Sequence, residues 1–133
     1  MRDNFWLNKR LSEIWSIFFS DITKLNDVKV RFVGRWKNKF GHIKKLKNGS
    51  SEIVINGLFK DTKIPDYIVD LTIAHEIVHY MHGFNSPYPK KFRYPHQGGV
   101  VRRELISRGF KVPLKIERRF LKQDWEVICK ESL

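Results

Sequence analysis

The chain has 133 residues, 41% hydrophobic and 14% aromatic, and carries a formal charge of +12. That length and apolar content suit one globular domain over residues 1–133 with a modest core, and there are no repeats, low-complexity tracts or linkers to divide it. No apolar run approaches a membrane span, no signal-peptide pattern is present, and a single cysteine, Cys129, excludes an internal disulfide; the expectation is a cytoplasmic protein with no membrane partner.

Residues 4–25 place Trp6, Leu7, Leu11, Ile14, Trp15, Phe18, Ile22 and Leu25 at helical spacing, which predicts a long amphipathic helix. Val28, Val30 and Phe32 then alternate with charged residues, as a half-exposed strand does. Residues 43–46 predict a second short strand, Asn48-Gly49 a hairpin turn and residues 52–56 a third strand, together a three-stranded antiparallel meander. Pro65 suits a first helical turn, Asp66 and Asp70 favour its positive end, and Gly83 is a ready C-terminal cap. Between them Ile64, Ile68, Leu71, His75 and His79 share one helix face, while Val69, Ile73, Ile77 and Met81 cover the other. A helix apolar on both sides is a buried one. A loop rich in Pro and aromatics leads to His96, which opens another helical pattern through Val100, Val101, Leu105 and Ile106 that Gly109 stops. After Pro113, residues 114–130 fit a helix or a strand equally well.

Chemistry concentrates in His75-Glu76-Ile77-Val78-His79, an HExxH sequence inside the predicted buried helix. Positions i and i+4 face the same way, so both imidazoles can hold one metal ion while Glu76 serves as general base beside it. Two imidazoles and a carboxylate inside a protein are costly unless satisfied, and a divalent cation satisfies them directly. The alternative is a pair of core histidines hydrogen-bonded to Glu or backbone. A catalytic zinc takes three protein ligands, and the candidates for the third are His82, His96 and Glu104. His82 lies two turns from His75, which a straight helix does not bring to the same ion. Were His96 to begin the next helix, Glu104 would lie about 12 Å along its axis, so the two are exclusive. His96 is preferred because a ligand at a helix start faces back into the cleft, whereas Glu104 has an i+4 partner in Arg108.

The HEIVH run, with sixteen residues between His79 and His96 and with Pro95-His96-Gln97-Gly98-Gly99 at the start of a helix, resembles the SprT-like zinc metalloproteases, the group that includes the DNA-dependent protease Spartan. Arg35-Trp36, Gly41 and the strand Ile53-Val54-Ile55-Asn56 are similar to that family's sheet before its metal helix, so the likeness covers most of residues 5–110. Gln97 departs from the pattern, which places Gly directly after the histidine, and Val100 or Val101 stands where an aromatic is usual. The resemblance implies an α+β, zincin-like fold: an N-terminal helix, the three-stranded antiparallel sheet, the HExxH helix and a following C-terminal helix. It implies Zn2+ on His75, His79 and His96, with Glu76 catalytic. Residues 124–129 are similar to the entry strand of the zinc ribbon that many relatives append, but with one cysteine no second metal site is expected.

Charge is the other functional clue. Between Lys29 and Lys47 there are eight basic residues and no acid, and from Gly83 to Lys122 eleven against Glu104 and Glu117. Such an excess attracts phosphate backbones. Candidate nucleic-acid contacts are Arg35, Trp36, Lys37, Lys44, Lys45, Lys90, Lys91, Arg93, Arg102 and Arg103, and Trp36, Phe40, Phe92 and Tyr94 could stack on unpaired bases if exposed. The expected function is hydrolysis of peptide bonds in proteins bound or crosslinked to DNA, single-stranded or damaged. Tyr94, His82 and Arg93 are candidate oxyanion donors by proximity in sequence, and residues 53–55 are a candidate edge for an extended substrate. Two alternatives stand beside this: a general small metallopeptidase with Glu104 as third ligand, and a nucleic-acid-binding module whose metal is structural.

Overall fold

The computed structural model describes residues 1–133. Helix α1 (Asn4–Phe18) opens on Asp3, whose carboxylate accepts from the Trp6 N–H at 2.8 Å, and buries Leu7, Leu11, Ile14 and Trp15. It stops at Phe18 rather than near residue 25. The Phe18 carbonyl, which a continued helix would offer to the Ile22 N–H, accepts from Arg108 at 2.8 Å, and the Trp15 indole donates to the Ile22 carbonyl at 2.8 Å. Ile22 still packs against the core, so its spacing reports burial and not helix.

The sheet has three strands, β1 (Val28–Val33), β2 (Gly41–Lys45) and β3 (Ser51–Asn56), in the order β1-β3-β2. β3 runs parallel to β1, with Val30 opposite Ile53, and antiparallel to β2, with Ile43 opposite Ile53. The expected antiparallel meander is therefore corrected to a mixed sheet with β3 at its centre. The physical reason lies in β3 itself, which is buried at every position, as a strand covered on both faces and both edges must be. The Asn48-Gly49 turn does join β2 to β3, the Asn48 side chain accepting from Ser50 N at 3.0 Å. The longer 34–40 connection is pinned by Asn56, whose amide donates to the carbonyls of Trp36 at 2.6 Å and Lys39 at 2.8 Å.

Both α1 and α2 (Asp66–Met81) cover one face of the sheet. On the other face Glu52 sits between Arg31 at 2.9 Å and Lys44 at 3.3 Å. Pro65 is the residue just before α2, and the start is clasped by buried Arg2, which donates to the carbonyls of Phe59 at 3.0 Å and Ile64 at 2.7 Å and pairs with the Asp66 carboxylate. As the two-sided pattern predicts, Ile68, Val69, Leu71, Ile73, Ala74, Ile77 and Val78 are buried. At the other end Gly83 adopts φ 84°, while the N–H groups of Phe84 and Gly83 donate to the carbonyls of His79 at 3.0 Å and Tyr80 at 3.1 Å. That is the Schellman closure, which needs the left-handed conformation glycine takes without strain.

Three helices complete the chain: α3 (Val100–Ser107), α4 (Lys111–Gln123) and α5 (Trp125–Ser132). Pro113 falls in the first turn of α4, where a missing N–H costs nothing. Residues 125–129 are helical, not the ribbon-like strand, because Trp125 and Cys129 sit one turn apart on a buried face. Trp125 stands edge-on to Phe40 at 5.0 Å and Phe59 at 5.7 Å, and its indole donates to the Lys37 carbonyl at 2.8 Å. The C-terminal helices are thereby tied to the 34–40 segment, and α4 becomes a wall beside α2. No helix is long and apolar enough to cross a membrane.

A candidate metal centre at the mouth of three cavities

His75 and His79 project from adjacent turns of α2, their rings edge-to-face with centroids 4.7 Å apart. His96 reaches them from a loop that is strapped down along its length. Asn85 (φ 55°) donates to the Ile43 carbonyl at 2.9 Å and accepts from Ser51 Oγ at 2.8 Å; Ser86 Oγ donates to the Tyr80 carbonyl at 2.6 Å. The Tyr88 hydroxyl donates to the Thr23 carbonyl at 2.6 Å. Beyond His96 the chain turns through two left-handed glycines, Gly98 at φ 58° and Gly99 at φ 69°, with Gln97 Oε1 accepting from Tyr94 N at 3.0 Å. Gln97, a departure from the family pattern by sequence, thus fastens the turn that presents the histidine.

Three histidines consequently lie close enough to bind one metal ion. Their candidate donor atoms all fall within 4.8 Å of one another, with His96 Nε2 at 3.1 Å from His75 Nε2 and 3.0 Å from His79 Nε2. A tetrahedral site with metal–nitrogen bonds of about 2.0–2.1 Å has edges of about 3.3 Å, close to the two separations that His96 makes. Burial pushes the His75 imidazole down to about 4 and that of His79 to about 3, neighbouring histidines adding to the effect. Both rings are then neutral at pH 7, which is the form that ligates. Nδ1 of His79 is buried without a hydrogen-bond partner, so nothing in the protein fixes its orientation from behind.

Glu76 is 4% exposed and makes no hydrogen bond. Burial pushes its carboxyl up to about 8, with Lys39 pulling the other way. His75 lines three separate hollows. One, of about 330 Å³, is bounded by Phe40, Gly41, Leu71, Glu76, Leu114 and Glu117. The second, about 240 Å³, opens between Gly41, His42, Phe84, Asn85 and His96; the third, about 250 Å³, lies among His96, Arg102, Leu105 and Glu117. A bound cation there would face solvent-accessible space on several sides.

The other candidates fall elsewhere. Glu104 is engaged with Arg108 at 2.9 Å and Ser107, and is not part of the histidine cluster. His82 is the capping residue of α2, buried, with Nε2 at 4.0 Å from Glu104 and its ring against Phe92. Neither His82, Arg93 nor Tyr94 lines any of the three hollows, which leaves the oxyanion donor among the sequence candidates without a place. The edge expected at residues 53–55 is not an edge, because β3 is central; the open edge beside the histidines belongs to β2.

Of the basic candidates, Arg102 lines the third hollow, and Lys90 lies 5.6 Å from the ring of Phe84 in the second. Arg35 bonds the Ser132 carbonyl away from the histidines, Arg103 that of Gly98, and Lys44 is paired with Glu52. Lys37, Lys45, Lys91 and Arg93 are exposed or at loop positions around the sheet edge and the 84–95 segment. The rings divide: Phe40 and Phe92 pack on the core, Trp36 is half-covered under Lys39 at 5.0 Å, and Tyr94 is exposed.

Gly41, one of the residues that carry the resemblance, packs so closely on β3 and α2 that a Cβ there would sit 2.6 Å from the Val54 carbonyl and 3.1 Å from Thr72. Glu117 escapes a reading by motif; its signal is the spacing Leu114–Glu117–Leu121, which places a carboxylate on the inward stripe of α4. Burial raises its carboxyl, opposed by Arg102, and no hydrogen bond holds it. No family model, curated protein or solved structure matches this chain.

Proposed function

We propose that the protein is a zinc-dependent metalloprotease of the SprT-like, zincin-type kind, acting on proteins bound or crosslinked to DNA. The observation that carries this reading is the convergence of His75, His79 and His96 beside a buried, unpartnered Glu76 at an open strand edge. Zinc, when bound, supplies the Lewis acidity that makes water a nucleophile near neutral pH. Glu76 does the proton work: burial holds its carboxyl up to about 8 in the metal-free fold, and a cation beside it would draw it into the carboxylate form that can accept a proton from water and return it to a leaving amine. The hollows around His75 leave room for substrate, which a purely structural metal site would fill with protein.

Strand β2 offers the docking edge. The Phe40 carbonyl accepts from Asn56 on β3, so by strand alternation the N–H and C=O of Gly41 and the N–H of Ile43 face away from the sheet. The Ile43 carbonyl is already taken by Asn85. An extended peptide adding to this edge would pass the histidines, which favours a peptide over a compact small molecule.

DNA is drawn in by charge. The net +12 supports phosphate binding, and Lys39 and Arg102 stand at the rims of two of the hollows. A cytoplasmic location accords with a single, buried cysteine. The test measures metal content of the purified protein, then cleavage of casein or a basic DNA-binding protein with and without single-stranded DNA. Cleavage that requires zinc, rises with DNA and vanishes in Glu76→Gln, while that variant keeps its metal and DNA affinity, is the expected result. A folded protein that takes up no transition metal overturns the hydrolase; cleavage indifferent to DNA at low salt overturns the coupling.

A further inference from the structure

The 330 Å³ hollow beside Glu76 is within the size range of ligand pockets and has a distinctive lining. Phe40, Leu71, Leu114 and Leu121 make an apolar sleeve, and Glu117 stands in its wall where this hollow adjoins the one that holds Arg102. The Glu117 carboxylate has no hydrogen bond and no ion pair, although it is half-covered, whereas Glu52, Asp70 and Glu104 are each paired with arginine. An unpaired carboxylate against apolar walls is a standing cost that a cation entering the hollow would relieve. The two cations that line these hollows do not: Lys39 is held over the Trp36 ring at 5.0 Å, and Arg102 acts on Glu117 without a salt bridge or hydrogen bond. Glu76, itself buried and without a partner, opens into the same space.

We infer that this hollow is the specificity pocket for a lysine or arginine side chain of the substrate, with the aliphatic stem in the sleeve and the charged head on Glu117. The inference rests on the protease reading above and adds the substrate class. Direction follows from the sheet. A peptide lying antiparallel to β2 runs from the Lys45 end toward Gly41 and Phe40, so its C-terminal half passes the mouth of this hollow. The residue that supplies the leaving amine is therefore the basic one, next to Glu76, which must protonate that amine. A neutral apolar residue would fill the sleeve but leave Glu117 unpaired, and an acidic one would meet two carboxylates. Proteins that sit on DNA carry many lysines and arginines to neutralise phosphates, so such a pocket matches their surfaces.

The test uses zinc-loaded, full-length Glu76→Gln protein, which leaves Glu117 as the only carboxylate of the hollow, and fluorescent peptides that differ at one position: lysine, norleucine or glutamate on the amine side of the scissile bond. Fluorescence anisotropy should show the lysine peptide binding about tenfold tighter than the norleucine one. Adding Glu117→Gln should bring that ratio near one, and Arg102→Ala, which removes the opposing cation without touching Glu117, should raise it. Equal affinity for lysine and norleucine peptides, or a lysine preference that survives Glu117→Gln, overturns the pocket assignment. The protease reading fails separately: wild-type protein that binds lysine peptides through Glu117 but cleaves none of them retains the pocket and loses the hydrolase. Wild-type protein that cleaves all three at the same rate does the reverse.

Discussion

Replacing Glu76 with glutamine should make the metal-free protein more stable at alkaline pH, although it removes the proposed base. In the unfolded chain a glutamate ionises near 4.5, and in the fold burial pushes Glu76 up to about 8. For a carboxyl raised in this way the folded state holds the proton more tightly, so its contribution is intact below pH 4.5 and is lost as pH rises through 8. Each pH unit between the two values costs 1.36 kcal/mol, which sets a ceiling of about 5 kcal/mol for forcing the side chain to ionise in place. Glutamine keeps the shape and loses the charge, but must itself be desolvated, so it recovers only part of that ceiling. Urea melts in the presence of a chelator at pH 5 and pH 9 measure the effect, and the histidines cancel because both proteins contain them. The wild type should lose ground to the variant between the two pH values, and saturating zinc should shrink the gap by placing a cation beside the carboxylate. A difference between the two proteins that is the same at both pH values would refute the burial argument and with it the placement of Glu76 as a tuned base.

The third ligand is decided by a pair of variants: His96→Ala should lower zinc affinity by at least a hundredfold in a competitive chelator titration, while Glu104→Ala should leave affinity unchanged and cost about 1–3 kcal/mol in a denaturant melt by freeing the buried end of Arg108. Two of the site histidines set a pH dependence. Because His75 and His79 are depressed to about 4 and 3, these two rings stay neutral in the fold well below pH 6, so in the chelated protein stability declines from about pH 6.5 downward as the unfolded chain takes up protons first. Thermal melts at pH 7, 5.5 and 4.5 should show that decline, and flat melting temperatures would contradict it. Gly83→Ala should destabilise by more than 1 kcal/mol, since it strains φ 84° and drives a Cβ into the Pro89 carbonyl, and it should weaken zinc binding because the same turn holds the last residues of α2 and the loop to His96.

What the sequence discloses and what it hides divide along physical lines. The buried histidine-bearing helix is legible from apolar residues on both faces of an HExxH run, because a period of 3.6 positions both histidines at once. His96 is legible from its place at the start of a helical pattern and from the resemblance, and the Gly pair behind it is what turns the chain at φ 58° and 69°. Sheet order was not readable from alternation alone, since Val28, Val30 and Phe32 look the same whether their neighbour is β2 or β3. The discriminating signal is the unbroken apolar run Ile53-Val54-Ile55, which belongs to a central strand and leaves the edge position to β2. Ile22 fits a helix by spacing because burial and helicity share it, and the bonds that end α1 come from Trp15 and, far along the chain, from Arg108.

Glu117 shows the deeper limit. A motif names residues whose chemistry is local, such as two histidines and a glutamate within five positions, but the wall of a cleft is assembled from segments that fold onto it. Glu117 comes into the cleft because Trp125 anchors the C-terminal helices to Phe40, Phe59 and the Lys37 carbonyl, turning the Leu114–Leu121 stripe of α4 toward α2. If that anchoring is what makes the pocket, then Trp125→Ala should do more than cost the few kcal/mol of a lost buried aromatic. It should release α4 and abolish discrimination between lysine and norleucine peptides, while zinc, held entirely by α2 and the 84–96 segment, stays bound.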